Sequence, residues 1–138
     1  MKGTHQILSR LVTICLCAIW AISVACASND KPVTVVSMVK LITDGEKYVG
    51  RQIRVFGYLA LGSSLRIYLS KEHAEGGDST SSIEVSDTNN GDIYSSDCVS
   101  SYVSITGTLV ERDNVLGLSD VEEIFKRSSS GYCWRRGK

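Results

Sequence analysis

The chain has 138 residues, 15 Lys and Arg against 15 Asp and Glu, five Cys and a single Pro. That length accommodates one domain. A hydrophobic fraction of 43% with 22% charged residues is globular composition, which excludes a disordered chain, a collagen-like repeat and a polytopic membrane protein. A net charge of zero removes the usual electrostatic argument for nucleic acid.

From Ile7 to Ala27 the only charge is Arg10, Lys2 precedes the run, and the segment ends in Ala25-Cys26-Ala27 before Ser28. A short basic start, an apolar stretch and a small-x-small ending predict a secretory signal peptide over residues 1–27, cleaved before Ser28. Two rival readings share these residues. Leu11 to Ala27 approaches the length of an uncleaved membrane anchor. Alternatively Ser23-Val24-Ala25-Cys26 stands in for the Leu-x-small-Cys of a lipoprotein, with Ala25 fitting and Ser23 not, which would make Cys26 an acylated N-terminus. The expected location is exported, periplasmic or secreted, with a membrane tether under either rival.

Cleavage removes Lys2, Arg10, Cys15, Cys17 and Cys26, leaving two more acids than bases and two cysteines, Cys98 and Cys133. In an oxidising compartment paired thiols persist as a disulfide. Closing a loop of about 35 residues stabilises a fold by about 3–4 kcal/mol in the chain-entropy model.

After a short linker over 28–36, the domain is expected over 37–138. Ser37 reads as the N-cap of a short helix through Met38-Val39-Lys40-Leu41-Ile42, which stops at Asp44-Gly45. Ile53, Val55, Leu59 and Leu61 alternate as in a strand with one buried face, Gly62-Ser63-Ser64 is a turn, and Leu65 to Leu69 repeats the alternation, giving a hairpin. Ser82 to Val85 is a third strand, and a fourth lies within Val99 to Val110. Val115 to Phe125 is a weaker fifth, because Leu116, Leu118, Val121 and Ile124 hold no single period. The segment after it reads as a basic tail stapled through Cys133.

Five short strands with almost no Pro predict a mainly β chain folded as a small closed or partly open barrel. Ile53, Val55, Gly57 and Leu59 find a counterpart in Val103, Ile105, Gly107 and Leu109. A glycine inside a strand weakens it unless it permits a bulge or a sharp bend, and small barrels need such bends.

Glu46-Lys47-Tyr48-Val49-Gly50-Arg51-Gln52-Ile53-Arg54-Val55-Phe56-Gly57-Tyr58-Leu59, then Tyr68-Leu69-Ser70-Lys71-Glu72, then Tyr102-Val103-Ser104-Ile105-Thr106-Gly107-Thr108, together resemble small exported bacterial OB-fold proteins of the cell envelope. The resemblance spans roughly Val36 to Ile124. It implies a five-stranded OB-like Greek-key barrel with a short N-terminal helix, and it brings no shared catalytic residues or cofactor.

Three groups of residues bear on chemistry. Glu72-His73-Ala74-Glu75-Gly76-Gly77-Asp78 holds the one histidine left after cleavage and three carboxylates, the basis of an alternative reading as a metal-dependent hydrolase, although the Pro-Cys-x-x-Cys partner of zinc deaminases is missing. Asp87-Thr88-Asn89-Asn90-Gly91-Asp92 departs from calcium-loop spacing and reads as a turn. Arg54, Phe56 and Tyr58 point away from the buried side of their strand, and Arg66 and Tyr68 do the same on the next. Arginines and aromatics on one sheet face can stack on a sugar or a base and hold an anionic group.

Acids concentrate from Glu72 to Asp97, while Lys126, Arg127, Arg135, Arg136 and Lys138 follow Glu123. The sequence therefore predicts a non-enzymatic, cofactor-free and metal-free binding or structural module of the bacterial envelope. Its expected ligand site is Arg54, Phe56, Tyr58, Arg66 and Tyr68, and its expected partner is an envelope protein, glycan or peptide. Single-stranded nucleic acid is a disfavoured alternative on charge and export.

Overall fold

The computed structural model describes residues 32–86 and 92–137. The signal-peptide, anchor and Cys26 readings, and most of the Asp87–Asp92 turn, lie outside the described residues.

The chain is mainly β. Strand β1 (Thr34–Ser37) leads directly into helix α1 (Met38–Asp44) and a 3-10 turn (Gly45–Tyr48). Then follow β2 (Gln52–Leu61), β3 (Leu65–Tyr68), a short helix α2 (Lys71–Glu75), β4 (Ser82–Val85), β5 (Ser101–Arg112), β6 (Val115–Lys126) and β7 (Gly131–Arg135). Ser37 caps α1 as its position predicts, its hydroxyl accepting from the Lys40 amide at 3.3 Å. Two elements differ from expectation. The segment read as a linker contains β1, which pairs in parallel with β2, and the segment read as a solvated tail contains β7, which pairs antiparallel with β6.

Five strands close a ring in the order β2-β3-β4-β6-β5, and β5 returns to β2. All pairings in the ring are antiparallel except β4 with β6. β1 extends the sheet beside β2, and β7 extends it beside β6. The β5–β6 turn places Asp113 and Asn114 at φ 52° and 63°, the doubly positive conformation that matches the twist of a two-residue hairpin.

The alternation read from the sequence fills the ring. Ile53, Val55, Leu59, Ile67, Ile83, Val85, Val103, Ile105, Leu109, Leu118, Val121 and Ile124 form its buried core, with Met38 and Leu41 of α1 added to it. β2 and β5 pair so that Ile53 faces Gly107, Val55 faces Ile105, and Gly57 faces Val103. The repeated pattern thus pairs with itself, and each glycine sits opposite a branched side chain. Gly57 lies where a Cβ would be 2.5 Å from the Tyr68 carbonyl oxygen, so the bend of β2 over β3 requires its bare backbone.

The irregular period of β6 also has a cause. Thr106 faces Glu123 while Thr108 faces Ser119, so β6 carries extra residues at Asp120–Glu122, with Asp120 at φ 48°. The bulge makes Leu118, Val121 and Ile124 all inward and resets the outward face to Glu123 and Phe125. A second irregularity in β7, where Ile124 faces Trp134 and Phe125 faces Tyr132, leaves Cys133 as the extra residue. Cys133 and Trp134 both pack against the core, and Cys133 is bonded to the fully buried Cys98 across a Cα–Cα distance of 5.4 Å. The expected disulfide is present, and it ties β7 to the segment that enters β5.

Candidate functional site

The ring has an outer face on which β1, β2, β5, β6 and β7 lie side by side, and register fixes which side chains meet there. One row runs Val35, Arg54, Thr106, Glu123, Arg135. The next, two residues along, runs Ser37, Phe56, Ser104, Phe125, Tyr132. A third pairs Tyr58 with Tyr102. Since side chains one row apart are two residues apart, the rows are about 6.6 Å from each other along the strands.

The first row is polar and tightly paired. Arg54 donates from Nε to Thr106 Oγ1 at 3.0 Å and from an Nη to Glu123 Oε1 at 2.7 Å. Arg135 donates to the second oxygen, Glu123 Oε2, at 3.3 Å, so one carboxylate is shared by two guanidinium groups. Arg135 also lies 3.8 Å above the Tyr132 ring, a cation–π contact that fixes the ring's orientation.

The second row is aromatic with a gap. Phe56 is 51% exposed and Tyr132 53% exposed, while Ser104 between Phe56 and Phe125 is small and only 8% exposed. Phe125 and Tyr132 meet edge to face at 5.5 Å. Arg54, Phe56, Ser104, Glu123, Phe125 and Tyr132 together enclose an open groove of about 270 Å³. Another groove, of about 290 Å³, lies beside the β5–β6 turn among Glu84, Ser86, Arg112 and Asp113, and no aromatic ring lines it.

The five residues singled out from the sequence separate into two groups. Arg54 and Phe56 line the groove, and Tyr58 flanks it, meeting Tyr102 edge to face at 5.2 Å. Tyr68 is 8% exposed at the end of β3, and helix α2 packs on both β2 and β3, with the Lys71 amide donating to the Tyr102 hydroxyl at 3.3 Å. Arg66 is held by Ser82 Oγ at 2.8 Å and by Glu84 at 3.8 Å, and so braces β3 against β4. The groove residues Ser104, Glu123, Phe125 and Tyr132 were not legible as site residues. Glu123, Phe125 and Tyr132 lie on strands whose alternation the β6 and β7 bulges break, and Ser104 is set between Phe56 and Phe125 only by cross-strand register.

The Glu72–Asp78 stretch makes local contacts. Ser70 Oγ donates to Glu72 Oε2 at 2.6 Å and lies 2.9 Å from His73 Nδ1, Glu75 pairs with Lys71 at 3.3 Å, and Asp78 accepts the Thr80 amide at 3.1 Å. Glu72 therefore engages the serine rather than orienting the imidazole, unlike the acid of a nucleophilic triad. The Ser70 hydroxyl holds the Glu72 carboxyl below its ordinary range, and the Thr80 and Ser81 side chains hold Asp78 down to about 2. The bond to Glu75 raises Lys71. Among the described residues no group of three or more His, Cys, Asp or Glu side chains is placed to hold a metal ion, and no helix is long and apolar enough to cross a membrane.

Lys126 and Arg136, like Arg135, are engaged in hydrogen bonds. Lys126 donates to the Asp97 carbonyl at 2.9 Å, and Arg136 donates to the Val121 carbonyl at 3.0 Å and pairs with Asp120 at 3.8 Å. Comparison of the chain with protein-family models, with curated proteins and with solved structures finds no match.

Proposed function

We propose that this chain is an exported, non-enzymatic binding module of the bacterial cell envelope, built on an OB-like barrel, that takes its ligand in the groove of the outer sheet face. The OB reading is supported by a closed five-strand ring with a Greek-key return and glycine-bent strands. Export is supported by the apolar N-terminal run with its small-residue ending and by the Cys98–Cys133 disulfide.

The observation that carries the ligand site is an aromatic groove, flanked by exposed Phe56 and Tyr132, beside a fixed Arg54–Glu123 pair. Exposed aromatic rings beside oriented polar groups are the makings of a recognition surface. Titration of the oxidised protein with panels of glycans, peptides and purified envelope proteins tests this. A ligand whose affinity drops at least tenfold on Phe56→Ala and on Tyr132→Ala, with the melting temperature held, is the expected result. Binding that ignores both substitutions rejects the groove as the site.

A further inference from the structure

The groove's shape and charge narrow the ligand class, on the footing that the groove is the binding site. Adjacent strands lie about 4.8 Å apart, so Phe56 and Phe125, two strands apart across Ser104, are roughly 9.6 Å apart at the backbone. A serine between two aromatic side chains leaves a slot one ring wide, with its floor at the Ser104 hydroxyl. At one end of the slot stand a guanidinium donor and a carboxylate acceptor 2.7 Å apart, held there by Thr106 and Arg135. Arg54 and Arg135 share the single carboxylate of Glu123, so the three groups together carry one positive charge in excess.

We propose that the slot seats a pyranose ring, free or as one unit of a longer glycan. Its apolar C–H face packs on the Phe56 and Phe125 side chains, and two vicinal hydroxyls bridge the Arg54–Glu123 pair. A hydroxyl both donates and accepts, so a vicinal diol satisfies a donor and an acceptor set side by side. A phenylalanine side chain from a peptide offers no hydrogen-bonding group to that pair on desolvating it, which is costly. A volume of about 270 Å³ lies just below the usual range for small-molecule pockets, as suits a single ring.

The test titrates the full-length, oxidised protein by heteronuclear NMR with maltose and N,N′-diacetylchitobiose, with longer oligomers of each, with oligogalacturonate, with oligo-dT and with a Phe-rich peptide. Saturable shifts centred on Ser104, Phe56 and Phe125 with a saccharide, weakened at least tenfold by Phe56→Ala and by Glu123→Gln, are expected. Equal affinity for the disaccharide and its longer oligomers marks a free sugar or chain end, and tighter binding of the oligomers marks an internal unit; both support the assignment. Phe56 is exposed, so its substitution leaves folding intact and keeps the test valid should Glu123→Gln unfold the chain. Tighter, Phe56-dependent binding of the oligonucleotide or the peptide than of any saccharide, the uronate included, overturns the sugar assignment while leaving the groove as the site. Saccharide binding that is blind to Phe56 and Tyr132 overturns both.

Discussion

A Cβ placed on Gly57 would stand 2.5 Å from the Tyr68 carbonyl oxygen and 2.7 Å from Ile67 Cγ1, against backbone that cannot yield without opening the β2–β3 pair. Gly57→Ala is therefore expected to cost about 2–3 kcal/mol, the scale of overpacking in a closed core. Gly62→Ala, with nothing within 4 Å of the added carbon, should change stability by less than about 0.5 kcal/mol. Urea denaturation of the two variants decides it. At the same scale, Asp78 has its carboxyl held down to about 2 by the Thr80 and Ser81 side chains. A carboxyl depressed on folding favours the folded state above its unfolded pKa, near 4, and that contribution is lost as pH falls toward 2. Thr80→Ala should move the Asp78 carboxyl back toward the ordinary range, visible in a carbon-detected NMR titration, and should flatten the fall in stability between about pH 4 and pH 2.

β7 is the element on which the groove depends. It pairs with β6, contributes Tyr132 and Arg135, and is anchored through Cys133 to buried Cys98. Replacing both cysteines with serine should lower stability by about 3–4 kcal/mol, as expected for releasing a loop of this length. The same change should raise amide exchange in Gly131–Arg135 well above that of β2 and β5. Ligand affinity is expected to fall with it, because the Tyr132 wall and the second guanidinium on Glu123 both sit on the released strand. Denaturation with and without a dithiol reductant, followed by exchange mass spectrometry, separates these effects. β7 also shows why part of the site was hidden in the sequence. Tyr132, Cys133 and Trp134 give no alternating pattern because Cys133 is bulged, so two neighbours face the core in succession. β1 was hidden for another reason: four residues, mostly outside the core, carry too short a pattern to be told from linker.

For the molecule as a whole, much of the ring was legible because β2 and β5 carry their inward apolar residues at alternate positions. Ile53, Val55 and Leu59 on β2, and Val103, Ile105 and Leu109 on β5, are buried as their spacing predicts, whereas Leu61, read on the same face, is exposed at the end of β2. The cross-strand arrangement was not, since rows such as Arg54–Thr106–Glu123–Arg135 join residues far apart in sequence through registers that bulges reset. If the N-terminal run is a cleaved leader, intact-mass measurement of protein recovered from cells should begin at Ser28, whereas acylation would leave Cys26 as the first residue and add the mass of the acyl chains. The self-pairing of the β2 and β5 motifs carries a further consequence. Because Ile53 meets Gly107 and Gly57 meets Val103 around a Val55–Ile105 centre, the contact has a local dyad, and either segment presents a surface that complements a second copy of itself. Two unfolded chains can therefore zip β2 to β2 with the same glycine-to-branched matches used in the folded ring. Intramolecular pairing wins because the tether keeps β5 at high effective concentration beside β2, so the native ring is favoured in dilute chains and strand exchange in crowded ones.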